Sequence, residues 1–337
     1  MKALVFKENY VTLLEKDKPE IEAPNEIIVK VIKSGICGTD LRVLSGNFNA
    51  QEGVTLGHEA VGIVCEIGYD VNQINVGDRV VIDPTLYDGT CYYCKKGLHN
   101  LCDNKKYHEV GLDMDGSFAE YIKLPENFVY KLPDVMSFDN AVLIEPLACV
   151  LNNISVANIS IDETVVVLGG GPTGALWTLV ANDLSRKVIV VENNPVRVNF
   201  LKKHFKNVID STNKEYISEI ISLNEGKKPN IVVDTTGIMC EEAINIVDKG
   251  GKIVLMGFNK NYTATFSPTY ITNNAIKIIG AGDYNNMFEK AIEVASKYNL
   301  SEFITHTFKL SEYEDAFKIL SKTPKNKCVM KVVFDMQ

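Results

Sequence analysis

Over roughly the first 145 residues, apolar and polar positions alternate in short runs such as "IIVKVIKSG", "AVGIVCEIG", "DRVVIDP" and "FAEYIKLP". A period of two, interrupted by turn residues, predicts short strands and a mostly β domain. After about Asp139 the texture changes. Apolar runs "TVVVLGGG", "KVIVVENN", "IVVDTTG" and "GKIVLMG" alternate with helical segments, one starting at Pro172 and one near 195–206. Such alternation predicts parallel strands joined by crossover helices. "AIKIIGAG" at 275–282 reads as the last strand of that sheet. The tail, with a helical "MFEKAIEVASKY" and a final "KCVMKVVFDMQ", fits neither pattern and is expected to return to the first domain. Residues 164–182 carry no charge over a span long enough to cross a bilayer, but Gly169, Gly170, Gly171 and Pro172 mark a strand, a turn and a helix start inside it.

Gly169, Gly171 and Gly174 form G-x-G-x-x-G between the strand "TVVVL" and a helix. The first glycine makes a tight turn, the second admits a pyrophosphate to the backbone, and the third lets helix and strand pack closely. The helix N-terminus then faces phosphate charge. Glu192 follows the second strand, 18 residues after Gly174, where a carboxylate can accept hydrogen bonds from the adenosine ribose and repel a 2'-phosphate. NAD is therefore expected over NADP, although Arg197 lies close enough in sequence to hold a phosphate. Pro172, Thr173, Thr236 and Gly257 are further cofactor-binding candidates.

Composition narrows the classes. At 337 residues, two domains are expected; 46% hydrophobic and 23% charged residues are those of an ordinary globular protein. The formal charge, 35 minus 43 or -8, and the absence of a basic run argue against nucleic acid as a partner. The N-terminal "MKALVFKENY" has too short an apolar run for a secretory signal, so the cytoplasm is the expected location and no membrane partner is expected. Eight cysteines there suggest metal ligation or free thiols ahead of disulfides.

In "LYDGTCYYCKKGLHNLC", Cys91, Cys94 and Cys102 have metal-loop spacing, yet a closed tetrahedral zinc site needs four ligands. Elsewhere Cys37, His58, Glu59 and Glu145 offer sulfur, nitrogen and oxygen donors suited to zinc. They are dispersed, and spacing alone does not bring them together. Taken singly, each has a bland reading: a buried thiol, a core histidine, a helix-capping acid.

In order along the chain, C-G-T-D, G-H-E 20 residues later, the cysteine loop, D-G-S-F-A-E-Y, E-P-L and G-G-G-P-T-G resemble the zinc-containing medium-chain dehydrogenases. The resemblance covers nearly the whole chain. G-H-E with a later E-P is similar to the polyol and sorbitol, threonine and archaeal glucose dehydrogenases, and the 24 residues from Glu145 to Gly169 match the sorbitol enzymes. The resemblance implies an α/β fold: a GroES-like, mostly β catalytic domain of residues 1–145 and 281–337, and a Rossmann domain with a doubly wound parallel sheet over 146–280. Substrate would lie in the cleft between them.

It further implies that Cys37, His58 and Glu59 hold a catalytic zinc, completed by Glu145 directly or through water, with Asp40 orienting the histidine. Thr39 would start the exit path of the substrate proton. Arg42 stands where many members carry a proton-passing histidine, and arginine cannot do that at neutral pH. It is either a surface residue or a contact for an anionic substrate such as a sugar phosphate. Aligned with the family's structural-zinc loop, Cys91, Cys94 and Cys102 match cysteines and Asp88 takes the place of the first, giving a second zinc site. The alternatives are a metal-free lobe, or His99 in place of the aspartate. Glu109, in "YHEVGLDMDG", is a candidate substrate contact.

The implied activity is NAD-dependent interconversion of a secondary alcohol of a polyol or sugar with its ketone, in a homodimer or homotetramer. Rival readings are amino-alcohol oxidation of the threonine dehydrogenase kind, a zinc-independent quinone or enone reductase, and an NAD-binding protein without turnover.

Overall fold

A computed structural model describes residues 1–105, 108–321 and 327–337. Among these, the chain forms two compact units: Met1–Ala148 with residues 285–321 and Lys331–Gln337, and Cys149–Tyr284 with residues 327–330.

The first unit begins with the antiparallel pair β1 (Lys2–Lys7) and β2 (Tyr10–Glu15). It continues with β3 (Glu26–Gly35), the short helix α1 (Gly38–Leu44), β4 (Glu59–Ile67), β5 (Arg79–Ile82), β6 (Tyr121–Pro125), β7 (Val129–Lys131), α2 (Phe138–Ala141) and the start of α3 (Ile144–Ala157), whose residues from Cys149 on belong to the second unit. Ile27, Val29 and Val31 of β3 enter a core with Ala60, Val64, Val80, Ile82, Ile122 and Leu124, but Ile28 and Ile32 are buried as well, so this strand is covered on both faces instead of alternating buried and exposed positions. In the β3–β4 pair Gly35 lies opposite Glu59, so the chain leaving β3 toward Cys37 and the chain entering β4 from His58 meet at one end of the sheet.

The second unit holds β8 (Thr164–Leu168), α4 (Pro172–Ala181), β9 (Lys187–Glu192), α5 (Pro195–His204), β10 (Val208–Asp210), α6 (Tyr216–Leu223), β11 (Ile231–Asp234), α7 (Cys240–Ile246), β12 (Lys252–Leu255), α8 (Pro268–Asn273) and β13 (Lys277–Gly280). The six strands are all parallel, in the spatial order β10-β9-β8-β11-β12-β13. Counted from β8 this is 3-2-1-4-5-6, the order of dinucleotide-binding sheets, whose direction of winding reverses beside the first strand. The uncharged stretch 164–182 is β8 and α4, and among the described residues no helix is long and apolar enough to cross a membrane.

The tail supplies α9 (Phe288–Ala295), β14 (Ile304–Lys309), α10 (Tyr313–Ser321) and β15 (Lys331–Asp335). It joins the first unit: β15 inserts between β14 and β3, pairing antiparallel with β3 with Val333 opposite Gly35. Phe334 and Phe317 pack edge-on against the fully buried Phe118. The unit boundaries fall at 148/149 and 284/285, a few residues beyond the expected 145/146 and 280/281. Residues 327–330, expected with the first domain, cluster with the second unit, because Cys328 there neighbours Arg197, Glu192 and Lys203. All eight cysteines are free thiols.

Candidate functional site

In the first unit, sheet register and one glycine assemble a donor cluster. Cys37 caps α1, and its N–H donates to Asp40 Oδ2 at 2.8 Å. Gly57 has a φ of +93°, and a β-carbon there would lie 2.4 Å from the Phe118 ring, so only glycine delivers His58 at this turn. One donor atom each from Cys37, His58 and Glu59 lies within 4.8 Å of the others. His58 and Glu59 are buried, Glu59 to 1% exposure. Burial opposes protonation of His58, but the Cys37 thiolate and the Asp40 carboxylate outweigh it and raise its pKa well above the usual value. The pocket thus gathers excess negative charge around an imidazole. Sulfur, nitrogen and oxygen at this spacing fit zinc.

Asp40 is 1% exposed; among the described residues its Oδ1 has no hydrogen-bond partner, and it sits 3.9 Å from His58 Nδ1. Glu145, in the first turn of α3, is buried and close enough to act electrostatically on His58 and Lys331, but stands outside the trio. The Thr39 hydroxyl is 3.7 Å from Cys37 Sγ. Arg42 folds back along α1, its guanidinium 3.7 Å from where a Gly38 β-carbon would be, and among the described residues no carboxylate pairs with it. Glu109 is paired with Lys105 at 3.1 Å. Its loop packs on Gly57, whose carbonyl oxygen would be 2.1 Å from a β-carbon at Gly116. Tyr107, also in "YHEVGLDMDG", lies outside the described residues.

The second cluster joins Asp88, Cys91, Cys94 and Cys102, again with donor atoms within 4.8 Å of one another. Asp88 Oδ1 accepts N–H bonds from Cys91 and Thr90, which hold its carboxyl well below the usual range, and Oδ2 accepts from Asn104 Nδ2. The N–H of Cys94 points at Cys91 Sγ and that of Asp88 at Cys102 Sγ, 3.4 and 3.5 Å away. Cys94 is pushed up to about 12 by burial and by its neighbours Cys91 and Cys102. Three sulfurs and a carboxylate at this spacing are a donor set that fits zinc. His99 is outside this group: its ring stacks on Tyr87 at 3.9 Å and its Nδ1 faces Asn286 Oδ1 at 2.9 Å.

In the second unit, β8 runs into the turn of Gly169–Gly171 and α4 begins at Pro172, with Thr173 in its first turn. A β-carbon at Gly174 would lie 1.9 Å from the Gly169 carbonyl oxygen, so the third glycine of the fingerprint is a steric necessity. Glu192 is 5% exposed, and both its oxygens are engaged. Oε2 accepts from Gly170 N at 3.0 Å, Oε1 from the N–H groups of Asn193 and Asn194, and Arg197 Nη1 lies 3.7 Å from Oε2. The acid expected to meet a ribose also ties the glycine turn to the end of β9. Thr236 donates to Asp234 Oδ1, and Gly257 packs against Gly237, where a β-carbon would come 2.0 Å from nitrogen.

The alcohol dehydrogenase GroES-like domain matches residues 23–134 and the zinc-binding dehydrogenase domain matches 172–297. D-xylulose reductase of Saccharomyces cerevisiae is 32% identical, covering 94% of this chain and 92% of its own. The chain belongs to the zinc-binding alcohol dehydrogenases. Another relative of this family, D-arabitol-phosphate dehydrogenase of Enterococcus avium, is 30% identical over 87% of this chain and 86% of its own. The crystal structure of an alcohol dehydrogenase from Escherichia coli CFT073 complexed with NADH superposes with a TM-score of 0.90 at 28% identity, covering 100% of this chain and 99% of that one. The protein is thus an oxidoreductase with zinc as its family's metal.

Three residues of this dehydrogenase escaped the sequence reading. Lys331 forms a buried ion pair with Glu59 and donates to the Ile36 carbonyl at 3.1 Å. Thr235 donates to the carbonyls of Leu168 and Gly169, and Asp234 collects the N–H groups of Thr236, Gly237 and Met239. A signal for Lys331 was present: it is the one charged residue in "CVMKVVF", and a lysine inside such an apolar strand demands a buried partner. Lys331→Met should cost the zinc-free protein about 3 kcal/mol by leaving the Glu59 carboxylate unpaired, and the zinc-loaded protein clearly less. Urea unfolding of both forms measures this; equal losses would exclude the compensation.

Proposed function

We propose that the protein interconverts a secondary alcohol of a polyol or sugar with its ketone, using NAD. The trio of Cys37, His58 and Glu59 carries this reading. Zinc held there, with Glu145 beside the trio, would supply the Lewis acidity that lowers the pKa of a substrate hydroxyl. Cys37 and His58 give that hydroxyl a fixed place, and Asp40 holds the α1 turn carrying Cys37. Thr39 would relay the hydroxyl proton, accepting it on Oγ1 as its own proton passes to water, since Arg42 cannot release one at neutral pH. Arg42, close to Cys37 and with no carboxylate partner among the described residues, favours a substrate bearing an anion, in keeping with the arabitol-phosphate relative. Asp88, Cys91, Cys94 and Cys102 hold the second, structural zinc.

A panel of polyols, sugar alcohol phosphates and threonine, followed by NADH absorbance with metal content measured on the same sample, tests the reading. Turnover of polyols with wild-type protein and its loss by at least a hundredfold in Cys37→Ser, with one zinc fewer, is the expected outcome. Full activity of that variant, or threonine as the sole substrate, would overturn it.

The cofactor preference follows from Glu192, bound to the glycine turn and with Arg197 beside it; Pro172, Thr173, Thr236 and Gly257 are further candidates for cofactor contacts. Glu192→Ala is expected to raise the KM for NAD about tenfold by releasing Gly170, while NADP, freed from a repelling carboxylate, gains relative to NAD through Arg197. Steady-state kinetics with both cofactors decide this, and an unchanged ratio would remove Glu192 from the specificity role.

We also infer a homo-oligomer. Among the described residues β13 is an edge strand with no neighbour beyond β12, and Phe266 and Tyr270 beside it are exposed. Sedimentation equilibrium at micromolar concentration should give at least twice the 37.4 kDa chain mass; a monomer would refute it.

A further inference from the structure

The cysteine lobe does more than close on itself. Gly97 and His99 lie between the ligands Cys94 and Cys102, and their backbone is grasped from outside by one side chain. His99 N–H donates to Asn285 Oδ1 at 2.9 Å, and Asn285 Nδ2 donates to the Gly97 carbonyl at 2.7 Å. Next to it, Asn286 Oδ1 meets His99 Nδ1 at 2.9 Å, and the stacking of His99 on Tyr87, itself edge-on to Phe128, fixes that ring. Asn285 is the first residue of the segment that returns to the first unit. Asn286, with a φ of +53°, turns the chain into α9, where Phe288 is buried on Tyr130. The far side of the same crossing is also held, by Asn152 Nδ2 donating to the Ala281 and Asp283 carbonyls at 3.0 Å each.

We propose that metal binding in the lobe and the ordering of residues 285–288 are coupled, so that the lobe is a latch for the returning chain. This rests on the assignment of Asp88, Cys91, Cys94 and Cys102 as ligands. The physical reason is entropic. A cation shared by Cys94 and Cys102 closes the short loop that contains Gly97 and His99, and so removes the freedom that the loop would otherwise lose on meeting Asn285. Without that closure the Gly97 carbonyl and His99 N–H are not held at the separation a single carboxamide spans. The coupling is reciprocal: whatever metal adds to the latch, the latch adds to metal affinity.

Hydrogen exchange on zinc-loaded protein and on protein stripped at the lobe, followed by mass spectrometry, reads one direction. Peptides spanning 285–288 should exchange at least several-fold faster in the stripped form, with peptides of β8 unchanged. Asn285→Ala reads the other direction in protein carrying both metals. Competition with a chromophoric zinc chelator should show the lobe about tenfold weaker, the effect expected for two ordinary hydrogen bonds. Two zincs per chain with neither measurement altered would overturn the coupling and leave the ligand set standing. A single zinc in wild-type protein, with Cys91, Cys94 and Cys102 all open to thiol reagents, would remove the ligand assignment and the coupling with it.

Discussion

A buried ion pair between Glu59 and Lys331 constrains the architecture of the first unit. Both side chains are almost wholly excluded from water, at 1% and 4% exposure, and each charge carries a desolvation cost of several kcal/mol that only a good partner offsets. Lys331 can reach Glu59 only if β15 lies beside β3, which requires the tail to come back after the whole second unit has been threaded. Register matters as much as position. With Val333 opposite Gly35 and Glu59 opposite Gly35 on the other side, the three strands bring Lys331, Cys37 and His58 to the same end of the sheet. A slip of one residue in β15 would turn Lys331 to the other face and leave a buried carboxylate unanswered, an error costly enough to exclude that pairing.

The second unit organises its loops by another route, in which carboxylates are saturated by backbone N–H groups. Glu192 binds the glycine turn to the end of β9, and Asp234 collects four donors at the end of β11, three backbone N–H groups and the Thr236 hydroxyl. Buried N–H groups in irregular turns need acceptors, and an ionised carboxylate offers about four acceptor sites. Thr235 does the complementary task for the carbonyls of Leu168 and Gly169. The shape of the glycine turn is thereby fixed by the chain itself, and a ligand meeting it would lose little to ordering.

Much of this was legible because apolar pattern and punctuation agree. The apolar runs of β3, β4, β8 and β9 and the glycine fingerprint each reflect a local rule, and local rules survive folding. The donor residues were legible by type, and their gathering was supplied by resemblance, since the distance from Cys37 to His58 along the chain carries no geometry. Lys331 was missed because its partner lies 272 positions away, 331 minus 59, and no local pattern encodes that pairing. The dual duty of Glu192 was missed for a related reason: a sequence shows that an acid ends a strand, but not which N–H groups the next turn leaves unpaired. The segment 327–330 directly precedes β15 of the first unit yet clusters with the second, and no local pattern marks that change; Cys328 there feels the charges of Arg197, Glu192 and Lys203.

The contrast between these acids bears on which of them can serve chemistry. Glu192 and Asp234 are bound by several backbone donors that cannot move without unfolding a turn, so both are held in one place whatever binds beside them. Glu59 is answered instead by the tip of a flexible lysine, a partner that can draw back along its stem when a cation takes up the same charge. Asp88 falls between: two backbone N–H groups orient it, and an asparagine side chain shares its other oxygen. Amides that orient a ligand without exhausting its lone pairs are what a structural metal site needs. The readiness of a buried acid to accept a cation therefore depends less on its burial than on whether its present partner is anchored in the backbone or carried on a side chain.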